Sequence, residues 1–162
     1  MALEIERKFL INEDLWNSFE KPIGLVCKQT YLHKEIDKTI RVRVLGEKGF
    51  FTIKGRTIGF TKPEFEYEIP LKDAKEMIEM FGESVIDKIR YVIPYHGHIW
   101  EVDVFFGENA GLIIAEIELK SEEESFLKPE WLAKEVTGDM RFSNSSLQNN
   151  PYKDWKHSLE LA

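Results

Sequence analysis

Apolar and polar residues alternate one by one along most of this chain, which is the pattern of β-strands with one buried face. Eight segments show it: residues 3–9, 28–32, 39–45, 51–54, 64–69, 88–91, 101–104 and 116–119. Glycine-containing turn segments, such as 46–49 and 96–98, connect neighbouring strands. The pattern therefore predicts a mainly β (α+β) fold with eight antiparallel strands and few helices.

Helical periodicity is confined to four short segments. Their expected caps or first residues are Asn12, Asp73, Ser121 and Pro151. The second helix is expected to end at Gly82. The third is expected over residues 122–127, with Glu124 completing a capping box. These helices are predicted to pack outside the strands.

Charged residues on the predicted strands are sorted by sign. Carboxylates lie two residues apart at positions 4/6, 64/66, 101/103 and 116/118, and cations do so at 41/43 and 88/90. An open sheet with its polar face in water is the simpler explanation for any one strand. Like charges crowded on one face repel, however, so sorting across the whole chain favours faces that surround a ligand of opposite charge. Carboxylate pairs suit a divalent cation, and arginine and lysine pairs suit phosphate oxygens.

The opposite faces of the same strands are apolar and must be buried. They carry Ile5, Ile40, Val42, Val44, Ile53, Phe65, Ile89, Val102, Val104, Ile117 and Leu119. In a closed barrel these side chains would point outward beneath the helices, and the charged faces would line the interior. An eight-stranded barrel with a charged interior is a ligand cavity. We expect one cavity to receive the side chains of Glu4, Arg41, Lys54, Lys88, Asp103 and Glu118.

Composition limits the classes of protein to which this chain could belong. Its 162 residues suit one domain, predicted over 1–162. The net charge of −7 argues against wrapping nucleic acid on the outer surface. Cys27 is the single cysteine, which excludes an internal disulfide. The charged N-terminus and the lack of a long apolar run predict a cytoplasmic protein without a membrane partner.

At this point the sequence resembles the CYTH family, also called triphosphate tunnel metalloenzymes. Its signature Glu-x-Glu-x-Lys stands here as Glu4-Ile5-Glu6-Arg7-Lys8. Segments that continue the family's series in order are 29–32, 40–43, 52–54, 62–66, 87–91, 100–105, 115–119 and 135–141. The resemblance covers about residues 3 to 147 and is closest to short bacterial inorganic triphosphatases. It implies an eight-stranded antiparallel barrel, the triphosphate tunnel, and divalent-metal-dependent attack on a triphosphate.

The chain departs from the family pattern at several positions. Lys62 stands where arginine is usual, which keeps the charge but loses the planar fork of donors. Met140 and Phe142 occupy places that are more often polar and tyrosine. The N-terminus lacks the His-Phe sequence associated with the adenylyl cyclase branch, which makes cyclase activity less expected.

The resemblance and the charge pattern together suggest site residues. The implied ligands for Mg²⁺ or Mn²⁺ are Glu4, Glu6, Glu116 and Glu118, with Asp103 as a further candidate. The phosphate-binding candidates are Lys8, Arg41, Arg43, Lys54, Lys88 and Arg90. Glu64, Glu66 and Glu101 remain for a second metal or for positioning water. The catalytic candidates are Lys8, Tyr31 and Glu66. The alternatives are ion pairs inside the barrel for the charged residues and an ordinary strand aromatic for Tyr31.

The expected activity is hydrolysis of inorganic tripolyphosphate to pyrophosphate and phosphate, because the short chain spends few residues on a base or thiazole pocket. Enzymatic alternatives are cyclisation of ATP to cAMP and hydrolysis of thiamine triphosphate. A non-catalytic polyphosphate- or nucleotide-binding module is the alternative from another class. The resemblance also implies a small-molecule triphosphate as the partner and a homodimer as the assembly.

Overall fold

The computed structural model describes residues 2–160, and its strands form one antiparallel sheet. Nine strands lie within that range: β1 Ala2–Ile11, β2 Leu25–Glu35, β3 Lys38–Leu45, β4 Lys48–Gly55, β5 Thr61–Ile69, β6 Ile86–Tyr95, β7 His98–Phe105, β8 Ile113–Glu118 and β9 Leu132–Glu135. The sheet order is β5-β4-β3-β2-β6-β7-β8-β1-β9, with an additional pairing between β5 and β1.

That additional pairing closes eight strands into a ring. The first half of β1 pairs with β5, with Glu4 opposite Lys62. Further along, β1 pairs on its other edge with β8, where Glu6 lies opposite Glu118. The short β9 then adds to the end of β1, with Ile11 opposite Leu132. The predicted eight-stranded barrel is confirmed, and β9 is an extra strand whose four residues do not alternate cleanly.

Outward-facing apolar residues on one side of the ring form an outer cluster. Its buried members are Phe9, Trp16, Ile93, Trp100, Val102, Ala115, Ile117, Leu119 and Trp131. Helix α1, Glu13–Asn17, begins after the cap Asn12 as predicted and contributes Trp16. The outward face is not covered everywhere, since the side chain of Phe65 on β5 remains 39% exposed.

A second apolar group, the inner plug, fills one end of the barrel interior. Its buried members are Ile86, Phe105, Leu112, Ile114, Val136, Phe142 and Leu147. Helix α3, Asn144–Asn149, supplies Leu147, and the C-terminal residues Tyr152 and Trp155 pack around the group. The interior is therefore apolar at this end and charged beyond it.

Three of the four helix predictions need correction, and the first concerns the residue that caps α2. Helix α2, Leu71–Phe81, ends at Gly82 as predicted and packs on β3 and β4, but Pro70 and not Asp73 is its cap. Asp73 lies in the first turn, where its carboxylate faces the positive end of the helix.

No helix forms over 122–127. Glu124 Oε1 accepts a hydrogen bond from the Lys120 backbone N–H (2.6 Å), and the segment runs as a loop. At the C-terminus, a 3₁₀ turn, Tyr152–Asp154, and the short α4, Lys156–Glu160, replace the single helix expected from Pro151. None of the helices within residues 2–160 has the length and apolar character needed to cross a membrane.

Candidate active site

Alternate residues of the ring strands face one cavity of about 1130 Å³. Strand residues on its wall include Glu4, Glu6, Lys8, Tyr31, Thr39, Arg41, Arg43, Lys54, Lys62, Glu64, Glu66, Arg90, Glu101, Glu116 and Glu118. They share the inward face because successive side chains of a strand point to opposite sides of the sheet. Burying so many charges requires that each be paired or bound to a ligand.

The acidic wall of this cavity is formed by β1 and β8. Glu6 lies directly opposite Glu118, and Lys8 directly opposite Glu116. Glu101 on β7 pairs in turn with Glu116, which extends the row across three strands. Glu6, Glu116 and Glu118 belong to the ligand set that the family resemblance implied, and the structure places them on the neighbouring strands β1 and β8.

Lysines separate the carboxylates of the acidic wall. Lys54 Nζ donates to Glu4 Oε1 at 2.9 Å, and Lys62 Nζ lies 3.6 Å from the same oxygen. Lys8 Nζ lies 3.8 Å from both Glu6 Oε1 and Glu116 Oε1. The Lys8 ammonium thus lies between two carboxylates, and those of Lys54 and Lys62 share a third, which are positions that another cation could take.

The pKa values of the acidic wall reflect this crowding. Burial and the neighbouring Glu116 raise the pKa of Glu6 to about 8. Burial and the carboxylate of Glu4 raise the pKa of Glu64 to about 7. For Glu4, burial opposes ionisation, but Lys54 and Lys62 outweigh it and lower the pKa to about 2. Glu6 and Glu64 therefore hold a proton more tightly than an ordinary carboxyl group does, whereas Glu4 does not.

A divalent cation fits the chemistry of this donor set. Within residues 2–160, no three Asp, Glu, His or Cys side chains are already gathered around one point that an ion could occupy. The oxygen donors are nevertheless adjacent on β1 and β8. Burial and Glu116 raise the pKa of Glu6, and partial desolvation with Glu4 and Glu101 raises the pKa of the more exposed Glu118. Oxygen ligands of this kind suit Mg²⁺ or Mn²⁺, and a cation would relieve the repulsion.

The basic wall lies across the cavity, on β3 and β6. Arg41 and Arg43 alternate inward on β3, and both are less than a tenth exposed. Glu66 Oε2 accepts hydrogen bonds from Arg41 Nη2 (3.3 Å), Arg43 Nη2 (3.4 Å) and Thr52 Oγ1 (3.0 Å). The Nε atoms of both arginines are buried without a hydrogen-bond partner. Both arginines also line the cavity, and guanidinium groups are suited to the oxygens of an anion.

Two of the six residues expected to enter the cavity lie behind its wall. Lys88 Nζ donates to Asp103 Oδ2 at 2.7 Å, and Arg90 Nε donates to Asp103 Oδ1 at 2.8 Å. Both Lys88 and Asp103 are almost fully buried between the cavity and the inner plug, with Lys88 Nζ 5.4 Å from the ring centroid of Phe105. Arg90 lies in front of them and lines the cavity. Asp103 is therefore committed to holding two cations, which makes it a poor metal ligand.

Tyr31 is the aromatic residue among the cavity-lining charges. It lies opposite Arg41, and Arg41 lies opposite Thr52, so β2, β3 and β4 form one inward-facing row. Burial raises the pKa of Tyr31, but Arg41, Lys54 and further cations outweigh it and lower the pKa below its ordinary value. Burial lowers the pKa of Lys8, but Glu116 and Glu6, with a smaller contribution from Tyr31, outweigh it and raise the pKa.

Comparison with known proteins agrees with this architecture. The family model for the CYTH domain matches residues 2–149. The chain belongs to the CYTH domain family. An inorganic triphosphatase of Acetivibrio thermocellus is 48% identical over 157 residues, which cover 96% of this chain and 99% of that protein. An inorganic triphosphatase of Nitrosomonas europaea is 31% identical over 149 residues, with 89% and 95% of the two chains covered.

A solved structure extends the similarity to the fold. The crystal structure of the inorganic triphosphatase NE1496 superposes with a TM-score of 0.63 at 30% identity, covering 91% of this chain and 95% of that one. Membership of the CYTH family implies a divalent metal cofactor. The acidic wall described above contains the oxygen donors that such a cofactor requires.

The sequence pattern missed the part of the CYTH cavity that does not come from strands. Residues of the C-terminal segment on the cavity wall are Met140, Arg141, Ser143, Asn144, Ser145, Ser146, Asn149 and Asn150. Within this segment, Arg141 forms an ion pair with Asp139 (2.6 Å). Strand periodicity could not find this segment. Its run of serines and asparagines was the available clue to a polar surface.

Proposed function

We propose that this chain is a CYTH-family triphosphatase, with residues 1–162 as one domain, that hydrolyses inorganic tripolyphosphate to pyrophosphate and phosphate. The observation that carries the proposal is one cavity with carboxylates on β1 and β8 facing arginines on β3 and β6. A triphosphate bound to a divalent cation carries a positive and a negative charge side by side, which are complementary to the carboxylates and the arginines respectively. The name inorganic triphosphatase, borne by two relatives that match nearly the whole chain, supports the same substrate class.

We assign Glu4, Glu6, Glu116 and Glu118 to holding Mg²⁺ or Mn²⁺ and leave Asp103 out of the set. Bound there, the ion supplies charge neutralisation and Lewis-acid polarisation of the phosphoryl oxygens. Lys54 and Lys62, which neutralise Glu4 in the protein alone, are then free to donate to phosphate oxygens.

The basic wall orients the substrate. Arg41, Arg43 and Arg90 offer guanidinium donors fixed by neighbouring strands, so the phosphate chain is held with little reorganisation. Lys88 supports Arg90 from behind through Asp103.

Glu66 faces the same space and positions the attacking water. In the reaction, the water oxygen forms a bond to a terminal phosphorus and the P–O–P bond breaks. Lys8 donates hydrogen bonds to the departing pyrophosphate, while Tyr31, as the phenolate that the surrounding cations favour, accepts the proton that the water gives up.

A panel of tripolyphosphate, ATP and thiamine triphosphate, assayed with Mg²⁺ and with Mn²⁺, tests the proposal. The lysine and arginine side chains on the described part of the cavity wall are suited to phosphate oxygens, and an adenosine group would add little binding energy. Tripolyphosphate should therefore exceed ATP by at least tenfold in kcat/KM. Pyrophosphate and phosphate are the expected products. Formation of cAMP would indicate a cyclase, and tight binding without turnover would indicate a binding module.

A further inference from the structure

The strand that carries Tyr31 extends past its neighbour in the ring. Strand β2 pairs with β6 only as far as Gln29, which lies opposite Ile86. Tyr31 lies two residues further on, where β6 no longer provides a partner. The pairing of β2 with β3 also changes register between Tyr31 and His33. Sheet hydrogen bonds therefore constrain Tyr31 less than Arg41, which lies opposite it on β3 and is paired on both sides.

A side chain of helix α3 takes the place of the missing strand. The Tyr31 backbone N–H donates to Gln148 Oε1 at 2.8 Å, and Gln148 Nε2 donates to the Tyr31 carbonyl at 3.5 Å. The amide thus meets the same two backbone groups that a neighbouring strand would meet. Gln148 is 8% exposed, so water does not readily replace it.

Other hydrogen bonds hold α3 against this part of the barrel. Ser84 Oγ donates to the Gln148 carbonyl at 3.0 Å, and Lys34 Nζ donates to the Ser145 carbonyl at 3.4 Å. Lys88 Nζ donates to Asn144 Oδ1 at 3.0 Å. The helix is thereby fixed to two strands of the wall, β2 and β6, so Gln148 is a rigid partner for Tyr31.

We propose that Gln148 is a positioning residue for triphosphate hydrolysis, acting through the backbone of Tyr31 to hold its phenol in the cavity. This inference rests on the proposed function and on the role proposed there for Tyr31. Gln148 itself is absent from the cavity wall, so it acts without touching substrate. A shift of about 1 Å in a reacting group is enough to slow an enzyme substantially.

The test is a double-mutant cycle between Gln148→Leu and Tyr31→Phe, with tripolyphosphate as substrate. Gln148→Leu alone should lower kcat about tenfold with KM changed less than twofold, because phosphate binding is left to the basic wall. In the Tyr31→Phe background, the same change should lower kcat less than twofold. Gln148→Glu keeps an oxygen acceptor for the Tyr31 N–H and should recover most of the lost kcat.

Two variants control for general damage. Asn144→Ala removes the hydrogen bond that another α3 side chain accepts from Lys88, so its effect should be the same with and without the Tyr31 hydroxyl. Ile93→Ala weakens the outer cluster and should lower thermal stability at least as much as Gln148→Leu while leaving kcat within twofold. An equal loss from Gln148→Leu in both Tyr31 backgrounds would overturn the proposal.

Hydrogen exchange gives a readout that does not depend on turnover. The Tyr31 amide should exchange slowly in the wild type and in Gln148→Glu, and much faster in Gln148→Leu. Unchanged protection in Gln148→Leu would also overturn the proposal. A wild-type protein that hydrolyses no triphosphate would refute the proposed function, whereas the exchange experiment would still decide whether Gln148 fixes Tyr31.

Discussion

The acidic and basic walls of the cavity differ in how their charges are satisfied. Arg41 and Arg43 keep buried Nε donors without partners, and they share one carboxylate, Glu66. Across the cavity, Glu4 is neutralised by Lys54 and Lys62, and Glu6 has a pKa raised to about 8 by burial and by Glu116. The basic wall is thus ready for an anion, whereas the acidic wall must first exchange a proton or a lysine for a metal ion. Metal and pH should therefore act mainly on the acidic wall.

Removing charge from the acidic wall should have the largest effect. Glu6→Gln and Glu118→Gln keep the shape of the side chain but lose the charge that would hold the cation, so kcat/KM should fall about a hundredfold or more. Steady-state kinetics at limiting Mg²⁺ and calorimetric titration with Mn²⁺ measure the loss. Circular dichroism should remain native. Wild-type turnover in both variants would show that these residues are not ligands.

A change in the basic wall should be smaller and independent of the organic part of the substrate. Arg43→Ala removes a fork of donors and should lower kcat/KM by roughly ten- to a hundredfold. Tripolyphosphate and ATP should lose similar factors, since the lost contact is to phosphate in both. A loss confined to ATP would instead place Arg43 beside the nucleoside.

The pH dependence of stability and of metal binding should come mainly from Glu6, which belongs to the acidic wall. The pKa of Glu6 is raised from 4.5 to about 8, so proton binding by Glu6 stabilises the metal-free fold. This stabilisation is fully present below about pH 4.5 and is lost as the pH rises through about 8. A metal ion competes with the same proton, so Mn²⁺ affinity should fall about tenfold per pH unit below about pH 8.

Calorimetry and thermal unfolding between about pH 6 and pH 9 measure both effects, with Glu6→Gln as the matched control. In that variant the pH-dependent loss of stability should be reduced. Parallel stability curves for the two proteins would contradict the assignment. The Glu4 carboxylate should not contribute in this range, since Lys54 and Lys62 overcome the effect of burial and bring its pKa to about 2.

The smallest expected effect is a gain in metal binding. Lys62 Nζ lies 3.6 Å from Glu4 Oε1 and competes with a metal ion for that carboxylate. Lys62→Met should tighten Mg²⁺ binding about threefold in the absence of phosphate, consistent with the modest strength of a partly exposed ion pair. The same variant should raise KM for tripolyphosphate. Weaker Mg²⁺ binding would mean that Lys62 organises the carboxylates instead of competing for them.

Period-two alternation was sufficient to predict the eight ring strands, because each strand has one charged and one apolar face. It also placed Glu4, Arg41, Lys54 and Glu118 correctly on the inward face. Alternation missed β9, because Lys134 and Glu135 in that strand are both polar. The helix expected over 122–127 is a loop instead, in which Glu124 accepts a hydrogen bond from the Lys120 backbone. Local patterns fail there because tertiary contacts outweigh weak propensities.

The sequence by itself therefore determined the strands, their inward charges and the family to which the motifs belong. Only the tertiary structure decided which charges meet. Lys88 and Asp103 alternate inward like their neighbours, but their depth next to the inner plug turns them into a buried ion pair behind Arg90. The contribution of α3, including the Gln148 amide at Tyr31, also depends on contacts between residues 117 positions apart. Periodicity fixes the direction of a side chain, whereas depth along a barrel and packing against a distant helix are set by the closure of the whole sheet.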